Sequence, residues 1–372
     1  MSGIYLHIPF CSKKCTYCDF HFSTNIKNQI NEMTSKMIAE LNFRKNEIKK
    51  NDIRSIYFGG GTPSVLRKKD FDLFFEKLNQ YKTDALKEVT IEVNPEDISK
   101  EKLLLWKTYG INRLSIGVQS LNNEQLKWMN RSHIAEQNIK SIMLAKSLGY
   151  QNISIDLIYG LPNMTNKEWS SQLEIIKDWG IQHISAYCLT VEKKTELMHY
   201  VKSKKVVMPN EEVQIEQFKI LCHKLNEFGF EQYEISNFSK PNYKSLHNSS
   251  YWNRESYIGI GPSAHSFSKN KRRWNVANNK KYLDCSLADN DWFEQEELSS
   301  TDEWNELILT KLRTNDGVNK AELKKTGELN NEFYSVINNF IKLKWVNEKP
   351  NSYVLTMEGR LRADYIASEL FK

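Results

Sequence analysis

The sequence predicts an α/β fold: an open, parallel-stranded barrel followed by a small helical domain. Three observations lead there. Six short β-branched runs alternate with amphipathic stretches, which implies right-handed crossovers and a parallel sheet. Inside those runs apolar and polar residues alternate, whereas a sheet covered on both faces would read as continuous apolar strands. From Thr301 the alternation stops, and helices follow one another up to a hairpin. Six units are too few for a closed eight-stranded barrel. The expected architecture is a partial (β/α)6 barrel over residues 1–235, a connecting region over 236–300 and a winged-helix-like domain over 301–372.

Taken in order, the expected strands are Ile4–Phe10, Ser55–Gly61, Glu88–Asn94, Arg113–Gln119, Asn152–Gly160 and His183–Thr190. Helices are expected at Asn28–Lys49, Lys68–Tyr81, Lys100–Tyr109, Glu124–Leu148 and Lys167–Trp179, with Gly110, Gly149 and Gly180 as stops. In the third strand Val89, Ile91 and Val93 oppose Thr90, Glu92 and Asn94. In the fourth, Leu114, Ile116 and Val118 oppose Ser115, Gly117 and Gln119; in the fifth, Ile153, Ile155 and Leu157 oppose Ser154 and Asp156. In the first, Tyr5 and His7 share the polar face. The apolar face should meet the helices and the polar face should line the interior. Burying Glu92 and Asp156 in a dry core would cost several kcal/mol each, so the lumen is expected to hold something polar. Sites in such barrels form at the C-terminal ends of the strands.

Past the barrel, Glu211–Phe228 reads as a helix and Glu231–Phe238 as a strand-like connection. Leu246-His-Asn-Ser-Ser-Tyr-Trp252 and Tyr257–Ser266 then crowd histidine, aromatics and glycine together, a composition that suits a ligand wall. The final domain has helical stretches at Thr301–Arg313, Asn319–Lys325 and Asn331–Lys342, and a hairpin over Trp345–Leu355 turning at Pro350-Asn351.

Composition narrows the function classes. With 40% hydrophobic and 12% aromatic residues the chain builds a core, which excludes global disorder. Its +6 charge, from 52 basic and 46 acidic residues, is spread rather than striped, so no nucleic-acid partner is expected. No run of 18 apolar residues exists and no signal segment precedes the first strand. The scattered Cys188, Cys222 and Cys285 do not make a disulfide framework. The expected location is cytoplasmic.

The chemistry concentrates in Cys11-Ser-Lys-Lys-Cys15-Thr-Tyr-Cys18, directly after the first strand. Three thiols within eight residues can face one centre. A zinc site would need a fourth ligand from His7 or His21. A four-iron cluster on three cysteines would keep one iron open. After the second strand, Gly59-Gly-Gly-Thr-Pro63 lets a ligand approach the backbone. It lacks the lysine of a phosphate loop and the spacing of a dinucleotide fingerprint.

The C-x3-C-x2-C spacing resembles the radical S-adenosylmethionine proteins, whose open iron is chelated by that cofactor. The resemblance narrows through Tyr5-Leu-His-Ile-Pro-Phe-Cys11, Phe58–Pro63, Ile91-Glu-Val-Asn-Pro95, Gly117-Val-Gln-Ser120, Asn130-Arg131 and Ile155–Pro162. Together these are similar to the oxygen-independent coproporphyrinogen III oxidase family. The resemblance implies a [4Fe-4S] cluster on Cys11, Cys15 and Cys18, and S-adenosyl-L-methionine held by Tyr5, Tyr17, Gly60, Gly61, Thr62, Glu92, Gln119, Arg131 and Asp156. Where the oxidases carry a further cysteine two residues past the third ligand, this chain has Phe20, and its N-terminal segment is short. Both departures match the family's haem-chaperone branch. That branch implies haem as a third ligand, with His247 of the HNxxYW stretch as its iron ligand and His265 in reserve. Haem-acceptor proteins, including those of the respiratory chain, are the implied partners, and a homodimer is allowed. The alternatives are an oxidoreductase acting on a porphyrinogen and a nucleic-acid-associated radical protein, the latter without a basic patch to support it.

Overall fold

A computed structural model describes residues 2–49 and 52–372. All six expected strands form: β1 (Gly3–Ile8), β2 (Ser55–Gly60), β3 (Glu88–Val93), β4 (Arg113–Gln119), β5 (Asn152–Tyr159) and β6 (His183–Cys188). They lie side by side in that order and pair in parallel. The period-two pattern works as expected. Ile4, Leu6, Phe58, Ile91, Leu114, Ile116, Ile153 and Ile155 are buried against the helices, and the Phe58 ring lies 5.7–5.9 Å from Phe71, Phe74 and Phe75.

The helices are α1 (Ile26–Phe43), α2 (Lys68–Leu78), α3 (Lys100–Thr108), α4 (Asn123–Trp128), α5 (Ala135–Ser147) and α6 (Asn166–Lys177). Gly110, Gly149 and Gly180 take φ of +81°, +81° and +62° just past α3, α5 and α6, as left-handed C-terminal stops do. One expectation fails: Glu124–Leu148 is not a single helix. Asn130 at φ +59° breaks it into α4 and α5, and the break turns Arg131 towards the cysteine loop, where its guanidinium meets Cys15. Another expected helix, Asn28–Lys49, stops early at Phe43. There Arg44 turns inward to Glu40 (3.1 Å), Glu47 (2.9 Å) and the Gly259 carbonyl (2.8 Å).

Two helices follow, α7 (Glu196–Lys202) and α8 (Glu211–Glu227), and then the connecting region joins the same sheet at both edges. The short strands β7 (Glu231–Gln232) and β8 (Asn237–Ser239) add antiparallel beside β6. After α9 (Leu246–Trp252), β9 (Tyr257–Ile260) adds parallel to β1, a seventh parallel strand that the sequence reading did not foresee. Beyond it lie β10 (His265–Ser268), β11 (Lys271–Asn275), the short helix α10 (Asn279–Asp284) and β12 (Phe293–Glu297). With only four residues, one of them a glycine, β9 carries too short an alternation to stand out as a strand.

The helix α9 floors the barrel. Ser245 caps its N-terminus through its hydroxyl. Glu88 accepts from Ser245 Oγ (3.2 Å), the Leu246 amide (2.9 Å) and the His247 amide (3.1 Å). A carboxylate on otherwise unpaired amides at a helix start is favourable on both hydrogen-bonding and dipole grounds.

The last segment builds its own core. The helices α11 (Ser300–Leu312), α12 (Lys320–Thr326), α13 (Asn331–Lys342), α14 (Met357–Arg360) and α15 (Ala363–Glu369) accompany a three-stranded sheet. Its strands are β13 (Val318–Asn319), β14 (Val346–Glu348) and β15 (Ser352–Leu355), and Trp304, Leu307, Phe333, Ile337 and Ile366 pack together behind them. No helix of the described residues is long and apolar enough to cross a membrane.

Candidate cofactor and ligand site

The cysteine loop leaves β1 and is pinched at its base, where Cys11 and Ser23 are joined through the Cys11 amide and the Ser23 carbonyl (3.1 Å). Asn130 Nδ2 holds it at the Lys14 carbonyl (2.7 Å), and the Leu197 amide at the Thr16 carbonyl (2.9 Å). Cys11, Cys15 and Cys18 are all half-buried and unpaired, and all three line the mouth of one cavity. Thr62 Oγ1 donates to Cys11 Sγ (3.4 Å), and Arg131 Nη1 approaches Cys15 Sγ (3.6 Å). Burial pushes the Cys11 thiol up to about 12 and the Cys18 thiol to about 11, so iron ligation would have to release their protons.

The donor set suits a cluster. Among the described residues, no three of His, Cys, Asp and Glu are close enough to share one metal ion. A multi-iron cluster spreads three thiolates over three irons, which is the arrangement this loop offers. His7 and His21 do not complete a zinc site: His7 Nε2 pairs with the His21 carbonyl (2.9 Å), and His21 Nε2 with Asn279 Oδ1 (2.7 Å).

Beneath the loop the glycine turn packs against β1. The amides of Gly61 and Thr62 donate to the carbonyls of Ile8 (2.9 Å) and Phe10 (2.7 Å). A Cβ on Gly61 would lie 2.5 Å from the Phe10 oxygen, and Gly60 sits at φ +105°. Both positions therefore require glycine. Gln119 closes β4 at φ +63°, an uncommon conformation for a non-glycine residue and one that clusters at functional sites.

The cavity runs from this rim down the lumen with a volume of about 810 Å³. Tyr5, Tyr17, Gly60, Gly61, Thr62, Glu92, Gln119, Arg131 and Asp156, expected on separate strands and loops, all line it. Arg131 is held by Asn94 Oδ1 (2.7 Å) and the Gly117 carbonyl (3.0 Å). Glu92 accepts from Tyr57 Oη (2.8 Å) and the Gly60 amide (3.2 Å). Burial pushes its carboxyl up to about 8, with Asp156 adding to the rise. Asp156 accepts from Ser115 Oγ (3.3 Å), and burial raises it to about 6. The lumen therefore carries two carboxyls whose ionised forms await a hydrogen-bond donor or a cation.

His247 also lines the cavity, at its floor and only 1% exposed. Both ring nitrogens are engaged, Nδ1 with Ser55 Oγ (2.8 Å) and Nε2 with Tyr251 Oη (2.8 Å). Its ring stacks 4.9 Å from Tyr57, and burial lowers its pKa to about 3. As folded, this imidazole pins α9 to the barrel. His265 is exposed at the opposite end, where it stacks on Trp274. Phe20 lies at the mouth, 69% exposed. Tyr57, Arg113, His183, Ser185 and Tyr187 also line the lumen and were missed. The period-two pattern carried the signal, since each continues the polar face of its strand.

An open parallel barrel with a three-cysteine loop above a polar lumen defines a radical S-adenosylmethionine protein, and residues 5–174 match the Radical SAM superfamily. Within that class the chain belongs to the HemW branch of the oxygen-independent coproporphyrinogen III oxidase family. It is 32% identical over 374 residues to the heme chaperone HemW of Bacillus subtilis, covering 97% of each chain. It is 34% identical over 318 residues to the heme chaperone HemW of Lactococcus lactis, covering 85% of this chain and 83% of that one. The fold also matches coproporphyrinogen III oxidase (HemN) from Escherichia coli with a TM-score of 0.84, over 100% of this chain and 90% of that chain at 20% identity.

Proposed function

We propose that this protein is a haem chaperone: it binds haem and transfers it to acceptor haemoproteins, while carrying a [4Fe-4S] cluster and S-adenosyl-L-methionine. The observation that carries the reading is the three free thiols above a polar lumen, in a chain related end to end to a heme chaperone. Cys11, Cys15 and Cys18 would hold the cluster. Tyr5, Tyr17, Gly60, Gly61, Thr62, Glu92, Gln119, Arg131 and Asp156 would hold the cofactor, with Arg131 suited to its carboxylate and Glu92 and Asp156 to hydroxyl or amine donors. When bound, the reduced cluster supplies the electron that can cleave a sulfonium. The chain's own residues orient the cofactor and exclude bulk water from it.

Haem iron would take a histidine. His247 could ligate only by giving up Tyr251 or Ser55, whereas His265 has no hydrogen bond on its ring among the described residues. Along the chain we assign 1–235 to the cofactor barrel, 236–300 to a haem-facing wall and 301–372 to an accessory domain. Free cluster thiols call for a reducing compartment, so the proposed location is the cytoplasm and the partners are haem-acceptor proteins.

The second reading, an oxidoreductase acting on a porphyrinogen, draws on the fold shared with the oxidase. One experiment separates the two. Anaerobically reconstituted protein and its His247→Ala and His265→Ala variants are titrated with haem by absorbance, then incubated with S-adenosylmethionine, reductant and coproporphyrinogen III. The chaperone reading expects haem binding that drops at least tenfold in one variant, and no decarboxylated product. Formation of protoporphyrinogen overturns it.

A further inference from the structure

Arg113 is the first residue of β4, beside Thr90 of β3 and Asn152 of β5. It is 2% exposed and lines the lower lumen with Glu92, Asp156, His183 and His247. A guanidinium removed from water is expected to be paired. Arg113 is not. Among the described residues no hydrogen bond or ion pair reaches its guanidinium, and its Nε is buried without a partner. Two further polar atoms nearby are in the same position, Thr90 Oγ1 and the Oδ1 of Asn237, which lines the cavity as well.

The contrast with Arg131 is informative. That guanidinium is committed to Asn94, Gly117 and Cys15. Lys13 and Arg131 are the other lysine and arginine around the cavity, and both belong to the cysteine-loop end. Arg113 is thus the cation of the floor: Glu92 and Asp156 feel its charge, but no described residue hydrogen-bonds or ion-pairs with it. The histidines there do not compete: His183 is bonded to Ser154 (2.7 Å) and Tyr233 (2.8 Å), and His247 to Ser55 and Tyr251.

We propose that Arg113 anchors a carboxylate of a ligand held in the floor of the lumen, away from the cysteine-loop end where Arg131 lies. A planar guanidinium matches a carboxylate or a phosphate. Here Glu92 and Asp156 line the same cavity, so a dianion would meet two carboxyls with one compensating cation. A monoanion is favoured. Two molecules carry such a group: a tetrapyrrole through its propionates, and S-adenosylmethionine through its amino-acid end if that end lies on Arg113 instead of Arg131. The inference rests on the ligand-binding lumen of the proposed function and adds the contact that would select for an acidic ligand.

The test compares acids with their esters. Reconstituted wild type, Arg113→Gln and Arg113→Lys are titrated with haem and haem dimethyl ester, and in a second arm with S-adenosylmethionine and its carboxyl methyl ester. The expected result is an acid preference that falls about 10- to 100-fold in Arg113→Gln in one arm, with the other arm unchanged. Arg113→Lys should fall between. The arm that responds names the ligand. An acid-to-ester ratio that is the same in Arg113→Gln as in wild type, in both arms, overturns the assignment. If haem does not bind at all yet the S-adenosylmethionine arm responds, the haem reading fails while the Arg113 anchor stands. Should Arg113→Gln not fold, the ratio in Arg113→Lys decides: an unchanged ratio there overturns the anchor.

Discussion

Glu92 holds its place between the Tyr57 hydroxyl and the Gly60 amide, yet burial lifts its carboxyl from the ordinary 4.5 to about 8. A carboxyl raised in this way keeps its proton in the fold at pH values where the unfolded chain has lost it. The folded state then binds more protons between about pH 4.5 and 8, and the stability contributed by this group falls as pH rises through that window. Glu92→Gln should therefore stabilise the ligand-free protein at pH 9, by about 4–5 kcal/mol for a rise from 4.5 to about 8, and leave it nearly unchanged near pH 4. Urea unfolding of both proteins at the two pH values checks this, and an equal effect at both would contradict it. Asp156, which adds to the rise, and Arg113, which opposes it, act on Glu92 itself, so the difference reports burial together with both neighbours. At this scale the sequence placed Glu92 and Asp156 on the polar faces. It could not register how far burial shifts them.

Among the elements, the junction of α1 with β9–β11 was invisible in the sequence. Glu40 is buried and accepts from Arg44 Nη1 (3.1 Å), the Gly261 amide (2.8 Å), Asn275 Nδ2 (2.8 Å) and Tyr282 Oη (2.5 Å). Its partners come from four places in the chain, more than 200 residues apart for three of them. A buried ion is tolerable only when it is fully satisfied, and removing one member strands the others. Glu40→Ala should cost about 3–5 kcal/mol, leaving the buried Arg44 with the half-exposed Glu47 as its remaining counter-ion and stripping the Gly261, Asn275 and Tyr282 donors of their acceptor. The double variant Glu40→Leu/Arg44→Met should recover much of that loss. Denaturant midpoints of the two variants measure it, and a single substitution costing under about 1 kcal/mol would refute the network's role. The split of the expected Glu124–Leu148 helix belongs to this scale too. Apolar spacing continues across Asn130, and the turn there is decided by the contacts of Arg131 and Asn130 with the cysteine loop.

Over the whole molecule, two apolar cores stand beside one another, with Ile235 packing on both. Met357 and Leu361 of the last segment also pack on the barrel core, and polar pairs accompany them. Lys219 pairs with Glu358 (2.8 Å), Arg254 and Arg272 with Glu306, and Arg360 with Gln232. Cores joined through a few apolar side chains and polar pairs, each with its own buried cluster, exchange as separate cooperative units. Hydrogen exchange should then divide at about residue 300. S-adenosylmethionine at 100 times its dissociation constant should protect the barrel strands by up to about 2.7 kcal/mol and leave 304–370 unchanged. Equal protection of both regions would show a single unit.

The sequence by itself determined the alternation of strand and helix, the polar lumen, the three-cysteine loop and the glycine turn, because each is local: period two, residue spacing, or the absence of a Cβ. It also carried the family, through motifs in a fixed order. Only the tertiary structure decided that Tyr257–Ile260 is a seventh parallel strand, that α9 plugs the floor with both nitrogens of His247 engaged, and that Arg113 ends up buried without a hydrogen-bond or ion-pair partner among the described residues. Those outcomes depend on which distant groups satisfy or abandon a buried polar atom, and such pairing leaves no periodic trace along the chain.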